Sequence, residues 1–475
     1  MQIPAELLES LQHIKGFNER TFTEVHDSGE QVTSIRFNPK KLPVNQNVSQ
    51  SPLNISHFSF SPLPKIPWSS NGYYLPERPS FTLDPLLHAG AYYVQEASSM
   101  FLEQALKQTI NLEQPLRVLD LCAAPGGKST LIQSMITDKS ILISNEVIKS
   151  RASVLEENIT KWGAENVIVT NNDPNAFSRL ENYFDVIVID APCSGSGLFR
   201  KDPLAVGEWS EGNVQLCSQR QQRILANVYP ALKKDGILIY STCSYSEEED
   251  ECISDWLLDS FALGSLQLSI QDDHENESGV IVETISKKHA AFGYRFFPDK
   301  IRGEGFFLAC FRKMYGEGYH FTQPKKMKLE KLSKNEEAIV RPWLRADAPV
   351  QFWKQGSLIF AFPSALEKEL LTVVSAELYI RKAGVAIGSI ARKELIPAHA
   401  LALSNLVNPG LISISLKKEE ALQYLRKEEV KTSSPYKGWA LVQYESMNLG
   451  WIKILLNRSN NYYPKEWRIL KSGNQ

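Results

Sequence analysis

Two of the six cysteines keep company that suggests chemistry. Cys193 lies in Asp190-Ala-Pro-Cys193-Ser-Gly-Ser-Gly197 and Cys243 in Ser241-Thr-Cys243-Ser-Tyr245, followed by the acidic stretch Ser246-Glu-Glu-Glu-Asp250. Each follows a short apolar run of strand type, which places both thiols on loops at the mouths of adjacent strands. A free cysteine is usually a small buried hydrophobe; two on loops that face one cleft are candidates for thiol chemistry. Cys217, Cys252 and Cys310 fall in helical or apolar strand patterns and are expected to pack. Cys122 stands in a turn of small residues, where it packs or touches the edge of a bound molecule.

That turn is the second constellation, Val118-Leu-Asp-Leu-Cys-Ala-Ala-Pro-Gly-Gly-Lys-Ser-Thr130. A buried strand ends at Asp120-Leu121, and a helix is predicted to begin near Gly127. Cys122, Ala123, Ala124, Pro125, Gly126, Gly127 and Lys128 therefore form a loop that lets backbone approach a ligand, next to the free N–H groups of a helix start. The glycine spacing is neither that of a phosphate loop nor that of a dinucleotide fingerprint. Carboxylates recur at successive strand ends: Glu146 after the second strand, Asp173 after the third, Asp190 closing the fourth. In open α/β sheets ligands bind beyond the carboxyl ends of the strands, and an acid after the second suits ribose hydroxyls. Asp173 is placed to meet an adenine amino group, and Lys128 to meet a phosphate or local carbonyls. Singly, each acid is more often a cap or a solvated loop residue.

The elements that must position these groups are legible as runs. RVLDL (117–121), ILISN (141–145), NVIVT (166–170), DVIVID (185–190), GILIYST (236–242) and GFFLACF (305–311) are candidate strands separated by helix lengths. Fully apolar strands so spaced predict a mostly parallel sheet covered on both faces. Residues 38–80, rich in Pro, Ser and Asn, read as a loop-laden connection. The Lys-rich stretch 316–336 reads as a linker, with a further α/β unit starting near residue 337.

The chain has 475 residues, 43% hydrophobic and 22% charged, which excludes collagen-like, coiled-coil and largely disordered classes. At about 150 residues per domain the length suggests roughly three domains. No apolar run is long enough to span a membrane, and the first residues lack the basic and apolar regions of a signal peptide. The cysteines form no CxxC pair, so no metal site is expected and a reduced, cytoplasmic setting is. Residues 321–475 carry 24 Lys and Arg against 14 Asp and Glu, a balance of +10; with 52 and 54 in the whole chain, the first 320 residues stand at −12. A basic C-terminal third suits a polyanion, although a solvated basic surface explains the charge equally well.

DLCAAPGGKST, DAPCSGSG and STCSYSEEEDE resemble the signature motifs of the Sun family of RNA cytosine-5 methyltransferases. Thr33-Ser-Ile-Arg36-Phe-Asn38, Gly72-Tyr73-Tyr74, Gln95-Glu96-Ala97-Ser98-Ser99 and Gly303-Glu-Gly-Phe-Phe307 extend the likeness over about residues 30–312. Ala383–Gly388, Pro397–Leu401, Gly438–Val442, Leu449–Lys453 and Asn461–Lys465 are similar to the tail of a group in that family that acts on 16S ribosomal RNA. The resemblance implies an α/β fold: a Rossmann-like class I methyltransferase domain with a mostly parallel sheet, a small N-terminal α+β domain, and C-terminal α/β and PUA-like β-barrel RNA-binding units. The expected divisions are 1–92, 93–315, a linker at 316–336, 337–404 (RRM-like) and 405–475 (PUA-like).

It also implies roles. S-adenosyl-L-methionine is the expected cofactor, held by Cys122 to Lys128, Glu146, Asp173 and Asp190. Cys243 is the expected nucleophile toward carbon 6 of cytosine, Cys193 acts at product release, and Asp190 serves cofactor, base or both. The partner is then RNA, 16S rRNA of the small ribosomal subunit, with no membrane and no metal, and the protein is expected to be a monomer. Tyr73, Tyr74, Tyr92 and Tyr93 are candidate stacking surfaces, as are Trp439, Trp451, Tyr462 and Tyr463 beside Lys465. Rival readings are a tRNA cytosine-5 methyltransferase, a DNA cytosine methyltransferase with Cys193 of the Pro192-Cys193 pair as nucleophile, a catalytically silent RNA-binding assembly factor, and a small-molecule methyltransferase that would survive truncation after residue 315.

Overall fold

A computed structural model describes residues 3–42, 63–270, 280–317, 319, 329–431, 435–456 and 458–470. Most of the Pro- and Ser-rich connection and much of the Lys-rich stretch lie outside the described residues. Among the described residues the strands form four sheets.

The first sheet is small and antiparallel. β1 (Thr33–Phe37) lies between β2 (Gly72–Leu75) and β3 (Tyr92–Val94). The central sheet holds β4 (Arg117–Asp120), β5 (Ile141–Asn145), β6 (Val167–Thr170), β7 (Phe184–Asp190) and β8 (Leu232–Thr242), all parallel, in the order β8-β7-β4-β5-β6. Antiparallel strands β9 (Leu263–Leu266), β10 (Val282–Ile285), β11 (Phe292–Phe296) and β12 (Phe306–Lys313) extend it beyond β8. The β-branched runs of β5 and β6 are buried along their whole length, as residues with apolar neighbours on both faces must be.

The register of β7 on β8 places the two cysteine loops. Asp190 pairs with Ser241, so the three residues that lead from Asp190 to Cys193 and the two from Ser241 to Cys243 leave the sheet side by side.

The C-terminal third contributes β13 (Glu330–Lys331), β14 (Val350–Gln355), β15 (Leu358–Pro363), β16 (Ile380–Ala383), β17 (Val385–Ala391) and β18 (Glu394–Pro397). Five of these form an antiparallel sheet in the order β13-β14-β15-β17-β18. An RRM-like unit has a four-stranded sheet. Here two-residue turns between β14 and β15 and between β17 and β18 force neighbouring strands to pair. β13 lies within the stretch read as a linker; it pairs its two residues with Lys354 and Trp353, a backbone contact that leaves no hydrophobic pattern to read. β16 leaves its own unit altogether and pairs antiparallel with β6, at the far edge of the central sheet. A last sheet joins β19 (Ser413–Ser415), β20 (Gly438–Tyr444), β21 (Met447–Ile454) and β22 (Ser459–Asn461).

One apolar cluster unites the two ends of the chain: Ile35, Phe37, Tyr73, Leu86 and Tyr92 pack with Tyr424, Val442, Leu449 and Tyr463. No helix among the described residues is long and apolar enough to cross a membrane, and no group of three or more metal-ligating side chains occurs among them.

Candidate active site

Cys193 Sγ and Cys243 Sγ lie 3.1 Å apart, both half-buried. The contact depends on close backbone packing. Gly197 N–H donates to the Cys243 carbonyl (2.8 Å), Gly305 N–H to the Gly197 carbonyl (3.1 Å), and Tyr245 N–H to Ser196 Oγ (2.9 Å). A side chain at Gly197 would place its Cβ 2.6 Å from the Gly305 carbonyl oxygen and 2.8 Å from that of Cys243, so only glycine fits. The hydrogen bond with Cys243 and then burial push the Cys193 thiol well above the ordinary thiol range.

Asp190, at the end of β7, accepts a hydrogen bond from Ser241 Oγ (3.0 Å) and pairs with Lys128 Nζ at 2.7 Å. Lys128 also lies over the Phe306 ring, 5.1 Å from its centroid. The structure thus brings together Lys128 from the small-residue turn, Asp190 from the fourth predicted strand, and the two cysteines.

The turn itself is cradled. Ala123 N–H donates to the Asn145 carbonyl, and Gly126 at φ 116° starts the helix Gly127–Met135 from a left-handed conformation. Ala123 and Ala124 are buried, and burial pushes the half-buried Cys122 thiol upward. Beneath the turn, Asp120 Oδ2 accepts from Ser129 Oγ (2.6 Å), while Asp120 Oδ1 is buried without a partner among the described residues. Burial raises that carboxyl to about 7. Glu146 is 3% exposed; it caps Ile148 N–H (2.9 Å) and faces Arg151 at 3.5 Å, which in turn donates to the Ala124 carbonyl (2.8 Å). Asp173 stands apart: it is exposed and accepts from Asn175 N–H (3.0 Å) to cap the turn Pro174–Leu180.

The motifs flanking the core turn out to be ties. Arg36, buried, donates to Gln95 Oε1 (2.9 Å), to Thr130 Oγ1 (2.6 Å) and to the Gly127 carbonyl (3.2 Å), so β1 holds the helix that starts at Gly127. Glu96 accepts from the N–H groups of Ser98, Ser99 and Glu304, each at 2.9 Å. Tyr73, Tyr74 and Tyr92 are buried and pack rather than present a stacking face. Trp451 of the last sheet and Tyr463, two residues beyond its final strand, are core. Tyr462 is exposed, edge-on to Trp439 at 4.4 Å, with Lys453 over the Trp439 ring. Cys217 and Cys310 are buried as expected, whereas Cys252 is exposed on its helix because its apolar pattern faces the other way.

Sequence reasoning passed over Glu249. It sits in a run of acids that reads as a solvated helix start, yet its side chain is buried beneath both cysteine loops. Its neighbours in the run are also committed. Arg295 pairs with Asp250 at 3.2 Å and with Glu251, while Glu247 meets Lys287 at the surface.

Three family models match this chain: 16S rRNA methyltransferase RsmB/F over residues 107–312, the N-terminal domain of 16S rRNA methyltransferase RsmF over 3–97, and the methyltransferase RsmF PUA domain over 412–469. Ribosomal RNA small subunit methyltransferase F of Cronobacter sakazakii is 30% identical over 454 residues, 91% of this chain and 89% of that protein. The protein of the same name from Vibrio parahaemolyticus is 29% identical over 456 residues, 91% and 90% of the two chains. Among solved structures, a methyltransferase homolog protein from Pyrococcus horikoshii is 26% identical with a TM-score of 0.51, covering 66% of this chain and 100% of its own. NSun6 from Pyrococcus horikoshii, solved with SFG, shares the fold at 19% identity and a TM-score of 0.53, over 66% and 99% of the chains.

Proposed function

The chain belongs to the ribosomal RNA small subunit methyltransferase F family, and on that premise we propose that it methylates carbon 5 of cytosine in 16S rRNA through a covalent bond from Cys243 to carbon 6. The observation that carries this reading is the 3.1 Å contact of two thiols at the ends of two paired parallel strands.

Carbon 5 of cytosine is a weak nucleophile. Addition of the Cys243 thiolate at carbon 6 makes the ring an enamine, whose carbon 5 can attack an electrophile. S-adenosylmethionine, when bound, supplies that electrophile as its sulfonium methyl group. Release then requires loss of the carbon 5 proton while the carbon–sulfur electron pair returns to Cys243. Cys193 serves this step. Its sulfur lies 3.1 Å from that of Cys243; once its own proton has passed to solvent, the Cys193 thiolate takes the carbon 5 proton as the carbon–sulfur bond to Cys243 breaks. Asp190 offers an acceptor to the amino edge of the base, and Lys128 keeps it oriented.

The residues present fit S-adenosylmethionine. An adenosyl amino acid brings hydroxyl and ammonium donors, and Asp120 supplies a buried carboxylate oxygen without a partner among the described residues. The small-residue loop Cys122–Lys128 admits close approach, and Glu146 suits a ribose. Asp173 would have to give up its cap to take part. The exposed Tyr462 and Lys465, with Trp439 and Lys453, offer aromatic faces and positive charge to RNA.

The test is a trapped intermediate. Cys193→Ala, incubated with S-adenosylmethionine and small-subunit RNA or particles, is expected to accumulate an RNA–protein adduct that survives denaturing electrophoresis. The adduct disappears when Cys243 is also changed to Ala. An adduct that persists in the double variant, or none with an active wild type, overturns the division of roles.

A further inference from the structure

The acidic run after Cys243 hides a clamp. Glu249 is fully buried, and its carboxylate collects four donors. Oε1 accepts from Ser194 N–H (2.8 Å) and Gln221 Nε2 (3.1 Å); Oε2 accepts from Ser194 Oγ (2.5 Å) and Ser244 Oγ (2.6 Å). Ser194 directly follows Cys193 and Ser244 directly follows Cys243. The two hydroxyls also lie 3.3 Å from each other.

The same group is anchored from below. The single proton of the Tyr240 hydroxyl faces the Glu249 carbonyl (2.6 Å), with Gln221 Oε1 a longer second contact of the same oxygen (3.0 Å). Gln221, on the long helix Glu211–Val228, donates to the Pro192 carbonyl (3.0 Å), on the other side of Cys193. Cys193 is thus held through the residues on both its flanks, and Cys243 through the residue that follows it.

A carboxylate buried without a cation against it is costly, and such a group persists where its hydrogen bonds are needed. Ser194 N–H and Gln221 Nε2 hold Oε1 as an acceptor, while the two serine hydroxyls donate to Oε2 and are able to accept as well. We infer that Glu249 is the positioning residue of the two-thiol site: one carboxylate ties the segment after Cys193 to the segment after Cys243 and so sets the separation of the sulfurs. This inference rests on the two-cysteine reading above for its catalytic consequence, but the geometry it asserts is measurable without any methyl transfer.

Two readouts on the full chain test it. In the first, free protein is treated with a diazenedicarboxamide oxidant, which takes two electrons and two protons from a thiol pair as the sulfur–sulfur bond forms. The Cys193–Cys243 disulfide is then followed by peptide mapping. In the second, kcat on small-subunit RNA and KM for S-adenosylmethionine are measured. Glu249→Ala severs the tie and is expected to slow disulfide formation at least tenfold and kcat about 100-fold, with KM for S-adenosylmethionine within about threefold, because displacement of reacting groups by an ångström costs about that much. Glu249→Gln keeps the shape, and the rotatable serine hydroxyls can turn to accept from its amide, so it falls between wild type and Ala in both readouts. A merely structural role would lower thermal stability and leave the disulfide rate of the folded fraction unchanged. If Glu249→Ala does not fold, Glu249→Gln decides alone. Wild-type values for kcat and disulfide rate in a folded variant overturn the inference, as does a wild-type protein that forms no Cys193–Cys243 disulfide. A wild type that forms it and methylates no RNA overturns the proposed function and leaves the clamp standing.

Discussion

At the scale of single residues, the site is a set of charged side chains and two thiols held against one another. Asp190 is the residue on which two proposed roles converge, because its carboxylate touches both Lys128 of the small-residue turn and Ser241 of the strand that leads to Cys243. Asp190→Asn keeps an acceptor for Ser241 and removes the charge that holds Lys128. We expect kcat/KM for RNA to fall roughly 100- to 1,000-fold, the cost of removing one aimed electrostatic group, with KM for S-adenosylmethionine changed less than tenfold. Steady-state kinetics with each substrate varied separates the two; an unchanged kcat with a large rise in KM for S-adenosylmethionine would assign Asp190 to the cofactor alone. Most of these residues were legible beforehand, since cysteines on loops after apolar strands and a turn of small residues are local signals. Glu249 was not, because three successive glutamates differ only in which of them the fold buries.

At the scale of elements, strand register and two glycine contacts do the positioning. The pairing of Asp190 with Ser241 puts the cysteine loops side by side, and Gly197 lets the loop after Cys193 pass between the Cys243 and Gly305 carbonyls. Gly197→Ala must push backbone aside on both flanks. The expected result is a loss of about 1–3 kcal/mol in stability, typical of overpacking, and a fall in kcat of about 100-fold through displacement of Cys243. Chemical denaturation and single-turnover methylation measure the two effects, and a variant with normal turnover would show that the loop has room to give. The strands of the central sheet were readable to within a few residues, since each buried run is rich in β-branched residues. β13 was missed because a two-residue backbone pairing has no side-chain pattern.

At the scale of the whole molecule, the units are stitched together rather than strung in series. β16 crosses from the C-terminal third to pair with β6, and Trp353, Phe360 and Leu370 share a core with Ile168 of the central sheet and with Phe177 and Leu180 of the turn Pro174–Leu180. The last sheet packs against β1 to β3. A chain cut after residue 315 therefore loses an edge strand and uncovers two apolar faces. We expect it to aggregate and to show no cooperative melting, measured by light scattering and calorimetry. A truncated chain that melts cooperatively would show that these contacts are dispensable. Loss of activity on truncation is thus expected from lost folding alone, and activity by itself does not separate an RNA enzyme from a small-molecule one.

What the amino-acid sequence determined by itself was whatever short-range chemistry encodes: the apolar strands, the small-residue turn, the two cysteine loops and the basic surplus of the C-terminal third. The first three are patterns within about ten residues, where side-chain alternation and backbone freedom are read directly, and the charge surplus is a plain count over the sequence. The tertiary structure alone decided what depends on distant segments meeting. It set the sulfur–sulfur contact across 50 residues of chain, buried Glu249 but not Glu247 or Glu248, spent Asp173 on a local cap, and sent β16 into another unit's sheet. Burial and register arise from the packing of whole elements, and no local window of residues contains them.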